Sequence, residues 1–267
     1  MNRPPKQWEE NCPMPNSTTT KKRRLKIWAI AVWIALWQAA AMIVGRDFLL
    51  ASPLKTIACF FRLAATPDFY LSALYSLARI FSGFLLAAAA GTLLAAFSLR
   101  FGAVRDLLAP LQSVLRAIPV ASFVIAALIW LPSKYLSVLI SFLIVFPQIY
   151  GGMLTEFGRA DPKMIKMAGV FRMPPLRRAM YVYALPAAHS FESLCVSCIG
   201  LAWKSGVAAE LIAIPSGSIG EKLYQAKVYL MSGELFAWTL LIILLSAACA
   251  QLVKLLVRLG ARLIERM

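Results

Sequence analysis

The sequence predicts an all-α, polytopic membrane protein with six transmembrane helices and both termini in the cytoplasm. Three observations carry that prediction. The chain has 267 residues, is 60% hydrophobic and only 15% charged, too little charge to cover a soluble domain of this size. Several apolar runs approach the ~20 residues that cross a ~30 Å hydrocarbon core, and they are solidly apolar where barrel strands would alternate. The basic residues gather in every second connection between those runs.

Residues 1–24 are polar, with Pro4, Pro5, Pro13, Pro15 and a Ser/Thr run, and predict a disordered cytoplasmic tail. Residues 25–267 form the membrane domain, with its core at 71–258. Lys21, Lys22, Arg23, Arg24 and Lys26 precede the first span, 27–44. That run exceeds the ~7–15 apolar residues of a signal peptide, so a retained anchor is expected. Ser52-Pro53 marks the start of a short surface helix reaching Phe60 and Phe61. The second span, 71–98, carries Gly83, Ala87, Gly91 and Ala95 every four residues, a stripe of small side chains that lets another helix approach closely. The third span, 107–131, contains Pro110, Arg116 and Pro119 and is expected to be broken or kinked. The fourth, 136–155, holds Pro147, the fifth covers 187–214, and the sixth covers 235–257.

Between the fourth and fifth spans lies the longest polar interruption, 156–186. It carries Arg159, Lys163, Lys166, Arg172, Arg177 and Arg178. Asp161-Pro162 reads as a helix start, with Asp as N-cap and Pro at the first helical position. Met164, Met167, Ala168 and Phe171 then share one helical face. Pro174-Pro175 is expected to stop this helix, and a second short helical run, 176–184, leads to Leu185-Pro186. With the N-terminus inside, this loop and the other inner segments hold most of the 28 Lys and Arg residues. The outer ones hold only Arg46, Lys55, Arg62, Lys134, Lys222 and Lys227. This bias places both termini and the loop in the cytoplasm. It also accounts for the formal charge of +16 without nucleic acid.

Several segments resemble the permease subunits of binding-protein-dependent ABC importers of the type I fold, in particular the nitrate/sulfonate/taurine permeases. They are Ser76-Leu77-x-Arg79 with Gly83-Phe84, Leu115 to Pro119 (LRAIP), the long inner loop closed by Leu185-Pro186-Ala187, and Gly200-Leu201-Ala202-Trp203 through Ala208-Ala209-Glu210. The resemblance implies a homodimer of permeases, two cytoplasmic ABC ATPase subunits and an extracytoplasmic substrate-binding protein. It places the chain in the plasma (inner) membrane and makes 156–186 the loop that couples to the ATPase. Its coupling residues are then Asp161, Met164, Lys166, Met167, Ala168, Phe171 and Arg172. Lys166-Met167-Ala168 stands where that family usually has Glu-Ala-Ala, and Arg172 stands near its usual glycine. The family's solutes imply a small anion such as nitrate, a sulfonate or taurine, with a pyrimidine or vitamin precursor as the alternative. No phosphate-cradling GxxxxGK[ST] loop occurs in the chain, so ATP hydrolysis is expected in a separate partner, and no cofactor is expected.

Arg79, Arg116, Lys204, Glu210, Glu192 and His189 lie in or near spans, where a charge pairs or lines a polar cavity. Arg116, Lys204 and Glu210 are candidate pathway residues. For Lys204 the competing expectation, slightly preferred, is an ion pair with a glutamate of another span or subunit. Arg116 is expected to cap an inner break, Glu192 to pair with Arg177 or Arg178, and Trp203 and Trp130 to anchor packing. Pro119, Pro147, Pro174, Pro175 and Pro186 mark expected helix breaks or bends. Cys195-x-x-Cys198 reads as two small residues packed on one helix face. A membrane-embedded enzyme would need a polar cluster around one cavity, and a single histidine, His189, argues against it. A non-transporting scaffold would not need charges inside the spans.

Overall fold

The computed structural model describes residues 27–46 and 49–265, and every regular element among them is a helix. The expected disordered tail, 1–24, lies outside the described residues. The first apolar run forms α1, Ile27–Val44, whose 18 residues give a rod of ~27 Å. The expected surface helix is α2, Pro53–Ala64, where the Ser52 hydroxyl accepts from the Lys55 amide at 3.4 Å. Next comes α3, Pro67–Arg100, 34 residues long. It starts ahead of the expected boundary because Pro67 is already preset for a first helical turn.

The stretch expected as the third span is broken into two helices. Its halves, α4 at Gly102–Ala117 and α5 at Val120–Ala127, meet at 103°. Ile118 and Pro119 are both extended at the bend, because proline lacks the donor and pushes its predecessor out of the helical region. Pro110 sits inside α4 without ending it.

Then follow α6, Ser133–Gly158; α7, Pro162–Val170; and the one-turn α8, Pro175–Arg178. A π-helical segment, Ala179–Ala184, runs directly into α9, Leu185–Ala213. Last come α10, Ile219–Val228, and α11, Ser232–Glu265. The sequence reading had no helix where α10 lies. Trp37 of α1 packs against Phe236 of α11, ring centroids 5.4 Å apart.

Four of the five expected proline breaks need correction. Pro147 lies within α6, which continues through it. Pro186 is the second residue of α9, and the helix is unbroken from Ala179 to Ala213. The wide π turns just before it suit a residue that has no N–H to donate. Pro174 and Pro175 do not stop α7, which has already ended at Val170. The stop is made by Arg172, in the left-handed region at φ 47. Around it the Met173 amide donates to the Ala168 carbonyl at 3.0 Å, and the Arg172 amide to Gly169 at 3.1 Å, the Schellman pattern.

Among the described residues four helices are long and apolar enough to cross a membrane: α3, α6, the continuous 179–213 helix and α11; the bent α4–α5 pair makes a fifth if it counts as one crossing. These make the chain a polytopic, membrane-embedded helical protein. Contacts set the directions of the helices. Arg79 meets Ser133, Gly83 meets Val138 and Ser141, and Gly91 meets Ile149 and Tyr150. The α3 and α6 numbers rise together, so the two helices run parallel. The chain between them therefore returns along the length of α3, which from Arg79 to Arg100 is ~32 Å. α9 runs against both, with Ile80 and Ser141 at Gly206 and Leu194 at Gly152. α11 runs against α9, with Glu192 on Arg258.

The small-residue stripe lies on the α3–α6 seam. Gly83, Ala87, Gly91 and Ala95 are all buried. A methyl group on Gly83 would collide with the Val138 carbonyl, and one on Gly91 would stand 3.1 Å from Ile149. Close backbone approach in an apolar solvent is what such stripes provide. The core then closes around Ile80, Phe84, Ile149, Tyr150, Ile199 and Trp203.

Candidate functional site

Three polar constructions stand out, and they lie at different levels of the bundle. The first is the basic elbow at the end of the bundle where α6 stops. The Asp161 carboxylate accepts from the Lys163 amide at 2.8 Å with Pro162 following, so α7 starts as its sequence dictates. Only Ala168 of the expected face is buried; Met164, Met167 and Phe171 point outward with Val170. Phe171 is 73% exposed and Val170 80%. Lys163, Lys166 and Arg172 are exposed beside them. The helix thus presents an apolar ridge in a basic rim and is held to the bundle chiefly through Ala168 and the neighbouring π-helical segment.

Arg172, which stands near the resembled family's glycine, occupies the one backbone position of this loop that favours glycine, at φ 47. The residue type differs while the turn geometry is the one glycine would suit.

The second construction ties α4 to α6. Arg116 and Gln112, one turn apart on α4, both donate to the Pro147 carbonyl, at 3.0 and 2.9 Å. Gly151 makes the space, since a methyl there would stand 2.5 Å from Gln112 and 2.7 Å from Arg116. Arg116 therefore staples α4 to α6 just before the break at Ile118-Pro119. Gln112 was missed in the sequence because nothing local marks it.

The third lies near the opposite end. Glu210 is wholly buried. It accepts from the Ser76 hydroxyl at 2.7 Å and from the Gly220 amide at 3.4 Å. Ser76 in turn accepts from the Ile219 amide at 2.9 Å, so the pair caps the first turn of α10. A carboxylate at a helix N-terminus is favoured by the free amides and by the helix dipole. Ser218 caps the same helix locally through the Glu221 amide at 3.0 Å. Gly220 lies directly on the Glu210 backbone, which a methyl group would strike. Arg79 stands by, its guanidinium over the Tyr75 ring at 4.6 Å and 3.5 Å from the Ser133 carbonyl.

The expected pathway set is thus not one cluster: Arg116 and Glu210 are each committed to interhelical bonds. Lys204 is exposed on α9 and forms no ion pair among the described residues, so the expected glutamate partner is not found among them. Glu192 pairs with Arg258 of α11, at 3.0 and 3.1 Å, and not with Arg177 or Arg178. The reason is direction: α9 and α11 are antiparallel, which brings these two levels together. Trp203 and both Cys195 and Cys198 are packed in the core, whereas Trp130 is exposed. His189 is exposed.

No protein-family model matches the chain, and no curated protein matches it.

Proposed function

We propose that this chain is the membrane permease subunit of an ATP-driven ABC importer and forms the path for a small solute. One observation carries the reading: the outward apolar ridge of Met164, Met167, Val170 and Phe171 on α7, set in a basic rim between two membrane-crossing helices. A ridge of that kind, on a short capped helix, suits insertion into a groove of a cytoplasmic ATPase. On this reading the chain crosses six times, counting α1 and the bent α4–α5 pair, since parallel α3 and α6 require the pair to traverse the bilayer. Lys and Arg bias places the elbow and both termini inside. A second copy completes the path, an external binding protein delivers the solute, and ATP-driven closure of the ATPase pair moves the elbow. The break at Ile118-Pro119 supplies a point about which the spans can rearrange. The solute class implied by the resemblance is a small anion such as nitrate, a sulfonate or taurine; a vitamin or pyrimidine precursor is the alternative.

The test is affinity capture of the tagged full-length chain from its native membrane. A co-purifying ATPase that is lost on Phe171→Asp or Met167→Asp, with membrane insertion intact, supports the reading. Unchanged capture with either variant overturns the docking face. Labelling of a cysteine at Lys166 by a membrane-impermeant reagent added outside intact cells overturns the orientation as well.

A further inference from the structure

The outward face of α9 is polar along half its length. Ser193, Ser197 and Lys204 are exposed and Ser190 and Gly200 half-buried, at spacings that keep them on one side of the helix, with Leu201 the exposed apolar residue beside them. The two outer hydroxyls of the serine run are turned inward on their own helix, Ser193 donating to the Ser190 carbonyl at 3.0 Å and Ser197 to Ser193 at 2.9 Å. The lysine has no such recourse. It lies level with Ser141 of α6, whose hydroxyl donates to the Ala202 carbonyl. Ser141 is ~10 Å along α6 from Lys134, the charge that marks the outer end of that span. An ammonium at that depth on a lipid-facing surface is costly, and such groups face partners or water instead. Among the described residues no carboxylate answers it: Glu210, on the same helix, is enclosed with Ser76, and Glu192 is taken by Arg258.

We infer that the Ser190–Ser193–Ser197–Lys204 face of α9 lines a water-filled path, and that Lys204 sets its preference for anions. This deepens the transport reading, on which it rests only in that solute moves through this chain. The serines offer hydroxyls without charge on the approach from the inner end. Lys204 is the single fixed charge of the face, so an anion gains there what a cation loses.

The test needs no knowledge of the solute. Cysteine is placed at Ser197 or Ser193 in the full-length chain with its own cysteines replaced by alanine, and open membranes are treated with anionic (sulfonatoethyl) or cationic (trimethylammonioethyl) methanethiosulfonate. Ser197 is ~10 Å from Lys204 along the helix, so the anionic reagent is expected to react roughly four-fold faster relative to the cationic one than it does with a free thiol. Lys204→Gln is expected to abolish that bias while leaving both reagents reactive. Buried Ser205→Cys reports folding by staying unlabelled. Failure of both charged reagents at Ser197 and Ser193, with a small neutral maleimide also failing or reacting alone, means a face against protein or lipid and overturns the inference. An equal bias with and without Lys204 overturns its selective role. Labelling with the expected bias but no captured ATPase leaves the path standing and removes the importer reading.

Discussion

Replacing Gly220 by alanine adds one methyl group where the structure has no room for it. The nearest atoms are the Glu210 backbone carbon and Cβ, and backbone in the last turn of a packed helix does not yield as a side-chain end does. α10 must lift from α9. Overpacking of this kind costs about 1–3 kcal/mol. Lifting α10 also stretches the Gly220 and Ile219 amides away from Glu210 and Ser76, bonds of 3.4 and 2.9 Å. Loss of partners at a buried carboxylate adds about 1–3 kcal/mol, so the expected total is about 2–6 kcal/mol. The assay is unfolding of the full chain in mixed micelles by sodium dodecyl sulfate titration, followed by helical circular dichroism. Ser76→Ala removes the donor to Glu210 and the acceptor for Ile219, and is expected to cost a similar amount. Because both variants break one knot, the double variant should fall short of their sum by at least ~1 kcal/mol. Gly200→Ala, where nothing lies within 4 Å, is the control and should not destabilise. Additivity within ~0.5 kcal/mol, or a Gly220→Ala variant as stable as the parent, would refute the claim that this knot is a single cooperative unit.

Four further outcomes are expected. Arg172→Gly removes a left-handed non-glycine residue and should stabilise the end of α7 by about 1 kcal/mol; slower amide exchange at Phe171 and Met173 is the readout, and faster exchange counts against it. Arg116→Met strips one of two donors from the Pro147 carbonyl and should loosen α4 from α6, seen as protease cleavage near Ile118-Pro119; Gln112→Leu should add to it less than independently. Glu192→Gln and Arg258→Gln, at a partly exposed ion pair, should couple by only ~0.2–1 kcal/mol, weakening with salt. Gly83→Leu should separate α3 from α6 and abolish a Ser98–Tyr150 hydroxyl contact of 3.0 Å, read as loss of folded chain in the membrane.

The sequence by itself determined whatever depends on near neighbours along the chain. The apolar runs, the hinge at Ile118-Pro119, the Asp161 cap and the stripe from Gly83 to Ala95 follow from local periodicity and from the missing donor of proline, and the structure carries each of them. Where the local rule has two outcomes, the tertiary surroundings chose. Pro147 and Pro186 are absorbed within helices, one where α4 side chains bond its carbonyl and one behind a π-helical segment. The end of α7 was set by one positive φ at Arg172, which no residue preference announces. Long-range partners were invisible for a plainer reason. Glu210 and Ser76 are 134 residues apart and Glu192 and Arg258 are 66 apart, and only the relative directions of α3, α9 and α11 bring them to one level. Sequence reading therefore names the charges inside the spans; packing decides their partners, giving Arg116 the Pro147 carbonyl, Glu210 Ser76 and Glu192 Arg258, and leaves Lys204 exposed without an ion pair among the described residues.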